Sequence, residues 1–194
     1  MLTVRRLSRA QVADALPDIA KLRIEIFRAF PYLYDGDVAY EEAYLAPYVD
    51  NDDAVIVGAY DSDRLVGAST GMPLLQHDDE FAAAFSGKGY DLARVFYCAE
   101  SVLRPEYRGQ GVGHAFFEQR EGVAQQSGFT FSTFCAVVRP DTHPARPEDY
   151  RSLEPFWRAR GYRSLSGIET TFAWKDVGES TTSAKPMQFW GRSI

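Results

Sequence analysis

The sequence predicts a mixed α/β fold in which helices pack against one central sheet. Apolar runs typical of strands alternate along the chain with runs that have the spacing of amphipathic helices. A glycine-rich turn at residues 108–113 joins one of these strands to a helix. Strand-like runs lie on both sides of that helix, which predicts a parallel strand pair joined by a right-handed crossover.

The N-terminal half is expected to contain three strands and three helices. Apolar residues recur at helical spacing from Ile19 to Phe30, and Pro31 ends that helix. Asp61-Ser62-Asp63 separates two apolar runs, as in a hairpin. The predicted elements are a strand over 3–7, a helix over 16–30, a short helix over 40–48, strands over 54–60 and 64–71, and a short helix over 77–85.

The C-terminal half is expected to complete the sheet around the glycine-rich turn. The predicted elements are a strand over 94–103, a helix over 111–126, a strand over 129–138, a short helix over 153–160, and strands over 163–166 and 169–174. We therefore expect one domain over residues 1–175. Residues 176–194 are expected to form a tail that packs on this domain or on a dimer partner, because Met187, Phe189 and Trp190 are too apolar to remain in water.

The segment Arg108-Gly109-Gln110-Gly111-Val112-Gly113 predicts a phosphate-binding site. Glycines at alternate positions clear side chains from the N–H groups at a helix start, where the helix dipole also favours an anion. No Gly-Lys-Ser/Thr follows, so the turn is not a Walker loop, and its spacing differs from the dinucleotide fingerprint. The turn therefore indicates a different phosphorylated cofactor.

This segment resembles the acyl-coenzyme A loop of the GNAT superfamily of N-acetyltransferases, whose signature is Arg/Gln-x-x-Gly-x-Gly/Ala. Arg108, Gly111 and Gly113 fill its defined positions, and the order of predicted elements matches that fold over about residues 3–175. The resemblance implies a mixed central sheet with helices on both faces and a splayed parallel strand pair that holds acetyl-CoA. It also implies which residues bind that cofactor: Val102 and Leu103 at the pantetheine, and Arg108, Gly109, Gln110, Gly111, Val112, Gly113 and His114 at the pyrophosphate.

Acyl transfer to an amine requires a base, because deprotonating an ammonium of pKa 10.4 at pH 7 costs roughly 4–5 kcal/mol. Glu100 is the candidate for this role, since it lies in the strand before the turn and relatives often keep an acid near this place. The alternative for Glu100 is a salt bridge to a neighbouring arginine, and the sequence leaves both interpretations open.

The residue that protonates the leaving thiolate is less clearly marked. Many relatives supply a tyrosine here, but this chain has Trp157, and indole is not an acid. Tyr150 is the catalytic candidate instead, with His143 as a second choice. Cys98 and Cys135 have no evident activating partner, which disfavours an acyl-enzyme and favours direct attack.

The acceptor is expected to be the primary amine of a small molecule. The resemblance places the acceptor site near the exit of the first long helix, where Tyr32, Tyr34 and Asp35 offer ring faces and a negative charge to a cation. Two alternatives stay open: a module that binds acyl-CoA without catalysis, and an acetyltransferase that modifies a protein lysine or N-terminus. The second alternative predicts an open groove.

Composition and charge indicate which other partners and cellular location to expect. The net charge is −6, which argues against nucleic acid binding, and acids far outnumber bases between Asp35 and Glu80. No apolar run could span a bilayer, and the N-terminus lacks a signal-peptide core. Two cysteines in apolar runs and scattered histidines predict buried thiols in a cytoplasmic protein without a metal. A homodimer is left open.

Overall fold

The computed structural model describes residues 1–194, which form an eight-stranded sheet. The strands are β1 (Leu2–Arg6), β2 (Val55–Asp61), β3 (Arg64–Pro73), β4 (Val95–Tyr97), β5 (Ser101–Leu103), β6 (Phe131–Val137), β7 (Arg163–Trp174) and β8 (Ser183–Ser193). The helices are α1 (Arg9–Phe27), α2 (Val38–Val49), α3 (Asp79–Ala83), α4 (Val112–Gln126) and α5 (Glu154–Ala159). None of these helices has the length and apolar character needed to cross a bilayer.

The strand order is β1-β2-β3-β4-β6-β8-β7, and β5 also pairs with β3. β4 and β6 run parallel, with α4 between them in the chain, while the other pairs are antiparallel. The predicted α/β class, with a parallel pair on either side of the glycine turn, is confirmed.

The two faces of the sheet bury different helices, because successive strand residues point to opposite sides. Phe96, Phe134 and Trp190 pack into the core that includes α4 and α5. Tyr97 and Cys135, each next to one of these, pack into the core on the other face with α3. α1 and α2 cover that second face over β2 and β3. The helices thus lie on both sides of the sheet, as expected.

Helix α1 begins seven positions before the predicted start at Leu16. Ser8 caps it: its hydroxyl accepts from the N–H of Gln11, whose side chain in turn accepts from the N–H of Ser8. This reciprocal capping box stabilises an early start, and Pro17 is accommodated inside the helix. The prediction was wrong at this end because it overlooked the cap.

The single strand predicted over 94–103 is divided in two. Met72 pairs with Tyr97, and Ser69 pairs with Ser101. Two residues separate the partners on β3, whereas three separate them on the opposite segment, so residues 98–100 contain a β-bulge. After the bulge the chain pairs with β3 and no longer with β6. The sheet therefore opens between β5 and the second half of β6.

Residues 183–193, which the sequence analysis placed in a tail, form an interior strand next to the edge strand β7. β8 pairs with β6 on one side and with β7 on the other. Met187 and Phe189 pack on one face and Trp190 on the opposite one, which is the alternation of a strand buried on both sides. Gly191 permits this packing, because a Cβ there would lie 2.5 Å from the Phe131 ring. β7 is likewise one strand with an irregularity between Ser164 and Glu169, not two.

Candidate active site

The glycine turn presents a row of free backbone amides. Gly109 and Gly111 have left-handed φ angles of 74° and 82°, and a Cβ on either would meet no atom within 4 Å. The N–H groups from Gly109 to His114 donate to no oxygen of the chain. No side chain caps the start of α4. Six consecutive donors with the positive end of a fifteen-residue helix have the arrangement that could hold a phosphate or diphosphate.

A cleft of about 890 Å³ connects this turn with the opening in the sheet. Most of the predicted cofactor residues line it, namely Leu103, Arg108, Gly109, Gly111, Val112, Gly113 and His114. Val102 and Gln110 are placed elsewhere. The Val102 side chain is buried in the core beneath α1 and α2, and the Gln110 amide donates to the carbonyl of Glu106.

The backbone of β5 offers hydrogen-bonding groups to the cleft. The N–H of Arg104 donates to Val66, and the N–H of Thr70 donates to the carbonyl of Glu100. Because such bonds alternate along an antiparallel pair, Val102 bonds to Ala68 of β3, whereas the groups of Ser101 and Leu103 face away from β3. Ser101 and Leu103 therefore present free N–H and C=O groups at the open edge.

Arg120 of α4 holds the bulge open. Its side chain is buried and donates to the carbonyls of Thr70 and Glu100, each at 3.0 Å, and to the hydroxyl of Ser101 at 2.9 Å. These bonds join α4 to β3 and to the bulge, and the Glu100 carbonyl accepts from Arg120 as well as from the N–H of Thr70. Sequence analysis missed Arg120, because only its partners distinguish it from a surface arginine.

Glu100 lies in an ion pair at the edge of the cleft. One carboxylate oxygen pairs with the guanidinium of Arg23, and the other accepts from the hydroxyl of Thr70 at 2.7 Å. Arg23 also pairs with Glu41 of α2, and all three side chains are at least nine-tenths buried. The salt bridge to an arginine, one of the two interpretations of Glu100, is present. It leaves lone pairs free on both oxygens.

A second, smaller cavity of about 90 Å³ opens beside this ion pair. We call it the aromatic pocket; its walls are rings from four separate parts of the chain, Tyr32, Tyr34, Tyr40, Tyr44, Phe81, Tyr97, Phe172 and Trp174. Arg23, Glu41 and Glu100 are its charged residues. Tyr32, Ala99, Glu100 and Cys135 border both the pocket and the cleft, so the two cavities adjoin at the bulge.

The predicted acceptor residues separate into two groups. Tyr32 and Tyr34 line the aromatic pocket. Asp35 lies outside it, where its carboxylate pairs with Lys175 at 2.7 Å and with Arg28 at 3.2 Å. These cations, Lys175 first, hold the pKa of Asp35 below its usual value. Besides Glu100, the acidic side chain that lines the pocket is Glu41, which a single sequence does not distinguish from exposed Glu42 beside it.

Arg139, which follows β6, fixes the loop that supplies Tyr32. Its guanidinium donates to the carbonyls of Pro31 and Tyr32, each at 2.9 Å, and pairs with buried Asp176 at 2.8 Å. The indole of Trp174 donates to the same Tyr32 carbonyl at 2.9 Å. The position of the Tyr32 ring is thus set by residues more than a hundred positions away.

Tyr150 and Trp157 line the cleft on the side away from β5. The Tyr150 ring stands edge-on to Phe30 with centroids 4.7 Å apart, and burial raises the pKa of its hydroxyl. Trp157 packs between Phe134 and Trp190, with centroid distances of 5.0 and 5.2 Å. Trp157 therefore contributes a wall, while Tyr150 presents an ionisable group.

Both thiols border the cleft but are protonated. Burial raises the pKa of Cys98, and it raises the pKa of Cys135 to about 12. Because the thiolate is the nucleophilic form, neither cysteine is activated for attack at neutral pH. No group of three or more histidine, cysteine or acidic side chains converges on a metal-sized site.

Comparison with known sequences decides the family. A profile of the acetyltransferase (GNAT) family matches residues 17–147, which include the bulge, the glycine turn and β6. The chain belongs to the GNAT family of acetyltransferases. The resemblance seen in the glycine turn is thereby confirmed. No curated protein sequence matches the chain significantly.

Solved structures show the same GNAT fold over the whole chain. A GCN5-related N-acetyltransferase from Kribbella flavida is 19% identical with a TM-score of 0.61, covering 100% of this chain and 98% of its own. A phosphinothricin acetyltransferase from Sinorhizobium meliloti, in complex with AcCoA, is 16% identical with a TM-score of 0.61, covering 100% and 88%. A ribosomal-protein-alanine N-acetyltransferase from Brucella melitensis is 11% identical with a TM-score of 0.62, covering 99% of both.

Proposed function

We propose that this GNAT protein is an N-acetyltransferase that transfers the acetyl group of acetyl-CoA to a primary amine of a small molecule. The observation that supports it most strongly is the row of six free amides, from Gly109 to His114, on the wall of a cleft that adjoins the aromatic pocket. A diphosphate binder and an acceptor cavity meet there at a bulge with a buried carboxylate.

The residues present fit acetyl-CoA, which supplies the acetyl group as a thioester. The amides of the glycine turn hold the pyrophosphate, and the glycines at 109 and 111 leave room for its close approach. The free backbone groups of Ser101 and Leu103 bind the pantetheine amides. The relative from Sinorhizobium meliloti, solved with AcCoA, supports this choice of donor.

Glu100 serves as the general base in this proposal. It borders both cavities, so it can accept a proton from an amine in the pocket, directly or through a water. Arg23 and Thr70 fix the orientation of its carboxylate. Tyr150, with a hydroxyl that stays protonated at neutral pH, donates a proton to the departing thiolate.

The size of the aromatic pocket favours a small acceptor. Its volume is about 90 Å³ and rings form most of its walls. A protein substrate would instead need an open groove for the backbone on both sides of the modified residue. The pocket therefore supports a small molecule over a protein lysine or N-terminus.

The test combines binding with turnover. Isothermal titration calorimetry with coenzyme A should show binding, and thiol release from acetyl-CoA should rise when a small primary amine is added. Binding without turnover on any amine or peptide would support the non-catalytic module instead. Absence of binding to any coenzyme A thioester would refute the proposed function.

A further inference from the structure

We propose that Glu41 binds the ammonium of the acceptor inside the aromatic pocket, and that the enzyme selects compact primary amines which have no carboxylate. This inference rests on the proposed function and specifies its substrate class. Glu41 was not among the residues that sequence analysis selected.

The first observation is an unpaired oxygen. Glu41 is completely buried, and one oxygen of its carboxylate pairs with Arg23. The Tyr34 hydroxyl lies within hydrogen-bonding reach of this carboxylate, and burial together with that hydrogen bond raises the pKa of Tyr34. The other oxygen, Oε1, makes no hydrogen bond of ordinary geometry within the protein. A bound ammonium would supply Oε1 with a well-directed donor.

The second observation is the charge balance around the pocket. Glu41 and Glu100 share the single guanidinium of Arg23, which leaves one formal negative charge. Three other cations lie outside the pocket lining: Arg120 is bonded to the Thr70 and Glu100 carbonyls, while Arg139 and Lys185 are paired with Asp176, and Lys185 also with Glu179. A bound cation would therefore neutralise the charged side chains that line the pocket, whereas an anion would face two carboxylates in a desolvated site.

The third observation is the nature of the walls. The Arg23 guanidinium stacks on Tyr44, 4.6 Å from the ring centroid, so that face is already used. Tyr34 and Phe172 still offer ring surface to the cavity, whereas Arg139 and Lys185 already lie over the Trp174 ring. Such surface suits an ammonium and an apolar body, and it supplies no cluster of donors for a carboxylate or phosphate.

The fourth observation is the volume. The cavity holds about 90 Å³. At about 10–15 Å³ for each water-sized group, this space accepts about six to nine such groups. An amine with a short chain and one ring, such as 2-phenylethylamine, matches both the size and the chemistry.

The test uses acceptors that differ only in charge. Thiol release from acetyl-CoA should be measured with 2-phenylethylamine, and then with valinamide and valine, which match each other in size and stay within the space of the cavity. We expect kcat/KM for valinamide to exceed that for valine by about 100-fold or more. Glu41→Gln should reduce this ratio about tenfold or more and lower kcat/KM for 2-phenylethylamine about 100-fold, while the affinity for coenzyme A stays within about twofold.

Glu42→Gln is the matched control, because Glu42 is the exposed neighbour on the same helix turn. It should behave as the wild type. A readout independent of turnover is tryptophan fluorescence, because the Trp174 ring lines the pocket. The fluorescence should change when 2-phenylethylamine is added without acetyl-CoA. This titration and the wild-type ratio remain informative even where Glu41→Gln fails to fold.

The outcomes separate the two proposals. Equal use of valine and valinamide, or wild-type kinetics in Glu41→Gln, would overturn the role of Glu41 and leave the acetyltransferase proposal intact. Turnover confined to peptides would also overturn it. Loss of all coenzyme A binding in the wild type would instead remove the proposed function on which this inference rests.

Discussion

The glycine turn and the aromatic pocket adjoin the same cleft, yet they are built in different ways. The turn uses backbone amides of six consecutive residues, from Gly109 to His114, and needs no particular side chain. The pocket uses side chains from α1, α2, α3, β4 and β7, which are far apart in the chain. The first site therefore depends on local backbone conformation, whereas the second depends on how distant elements pack.

Their electrostatics also differ. The turn offers partial positive charge from a helix start, which suits the diphosphate common to every coenzyme A thioester. The pocket has a net negative charge from Glu41, Arg23 and Glu100 in a buried setting. In the proposed function, the turn would bind the diphosphate that all coenzyme A thioesters share, and the pocket would select the acceptor. The following experiments perturb one region at a time.

The largest effect is expected from Glu100→Gln, at the junction of the two regions. Loss of the base should lower kcat by about 10²–10⁴-fold, with little change in coenzyme A affinity. Stopped-flow acetylation and calorimetry measure the two quantities. Glu106→Gln, an exposed acid just beyond β5, is the control and should retain activity. Undiminished kcat in Glu100→Gln would assign the ion pair a purely structural role.

A lower pH should destabilise the packing around the aromatic pocket, because His77 is partly buried there. Its ring packs on Phe81 and Tyr97 with centroids 4.9 and 4.7 Å away, and burial lowers its pKa to about 4. The pKa of His77 in the folded protein therefore lies below the unfolded value of about 6.5. The free energy of unfolding is highest above pH 6.5, and it decreases as the pH falls toward 4 because only the unfolded state then binds a proton at His77.

The loss attributable to His77 at pH 4 is about 3 kcal/mol. Urea unfolding of the wild type and His77→Asn between pH 7.5 and 4 measures it. The variant should be less stable at pH 7.5 but should lose less stability on acidification. Parallel pH profiles for the two proteins would contradict the assignment to His77.

The turn side is tested by Gly111→Ala. A left-handed conformation costs an alanine roughly 1–2 kcal/mol. If the variant turn must adopt that conformation in order to bind coenzyme A, the affinity should fall by about 5–30-fold. Gly122→Ala is the matched control in the same helix, where a Cβ meets no atom and φ is ordinary. That change should stabilise the protein by up to about 1 kcal/mol and leave affinity unchanged. Equal affinities in the two variants would refute the role of the turn.

The smallest effect is expected from Tyr150→Phe. A thiolate with a free pKa of about 8.5 leaves readily near neutral pH, so kcat should fall at most about tenfold. The decrease should become larger as the pH is lowered, because the thiolate then needs the proton more. A pH-rate profile of kcat from 6 to 9 measures this. A profile identical to that of the wild type would exclude Tyr150 as the acid.

Much of the architecture could be predicted from the sequence, because it follows from local patterns. The glycine turn, the helix from its end to Gln126 and the strand after it all lie close to their predicted places. The failures were at features without local signals. The bulge at residues 98–100 can be located only when the pairing partners on β3 are known. The interior position of β8 likewise becomes apparent only when both of its neighbours, β6 and β7, are known.

The residues of the candidate site also differ in whether local sequence could indicate them. Most of the residues predicted to bind the cofactor form one run in the sequence, and most of that run lines the cleft. Glu41 and Arg120 were missed, because an acid on one helix and an arginine on another resemble ordinary surface charges until their burial is known. Asp35 was selected for its charge, yet Lys175 and Arg28 engage it outside the pocket.

By itself the sequence determined the family and the α/β class, since these depend on periodicity and on a glycine turn that a few neighbouring residues specify. Only the tertiary structure decided which acids line the aromatic pocket and where the sheet opens. The physical reason is that desolvation and ion pairing are properties of a residue's surroundings. Arg23 joins Glu41 of α2 to Glu100 of the bulge only after the helices have packed on the sheet.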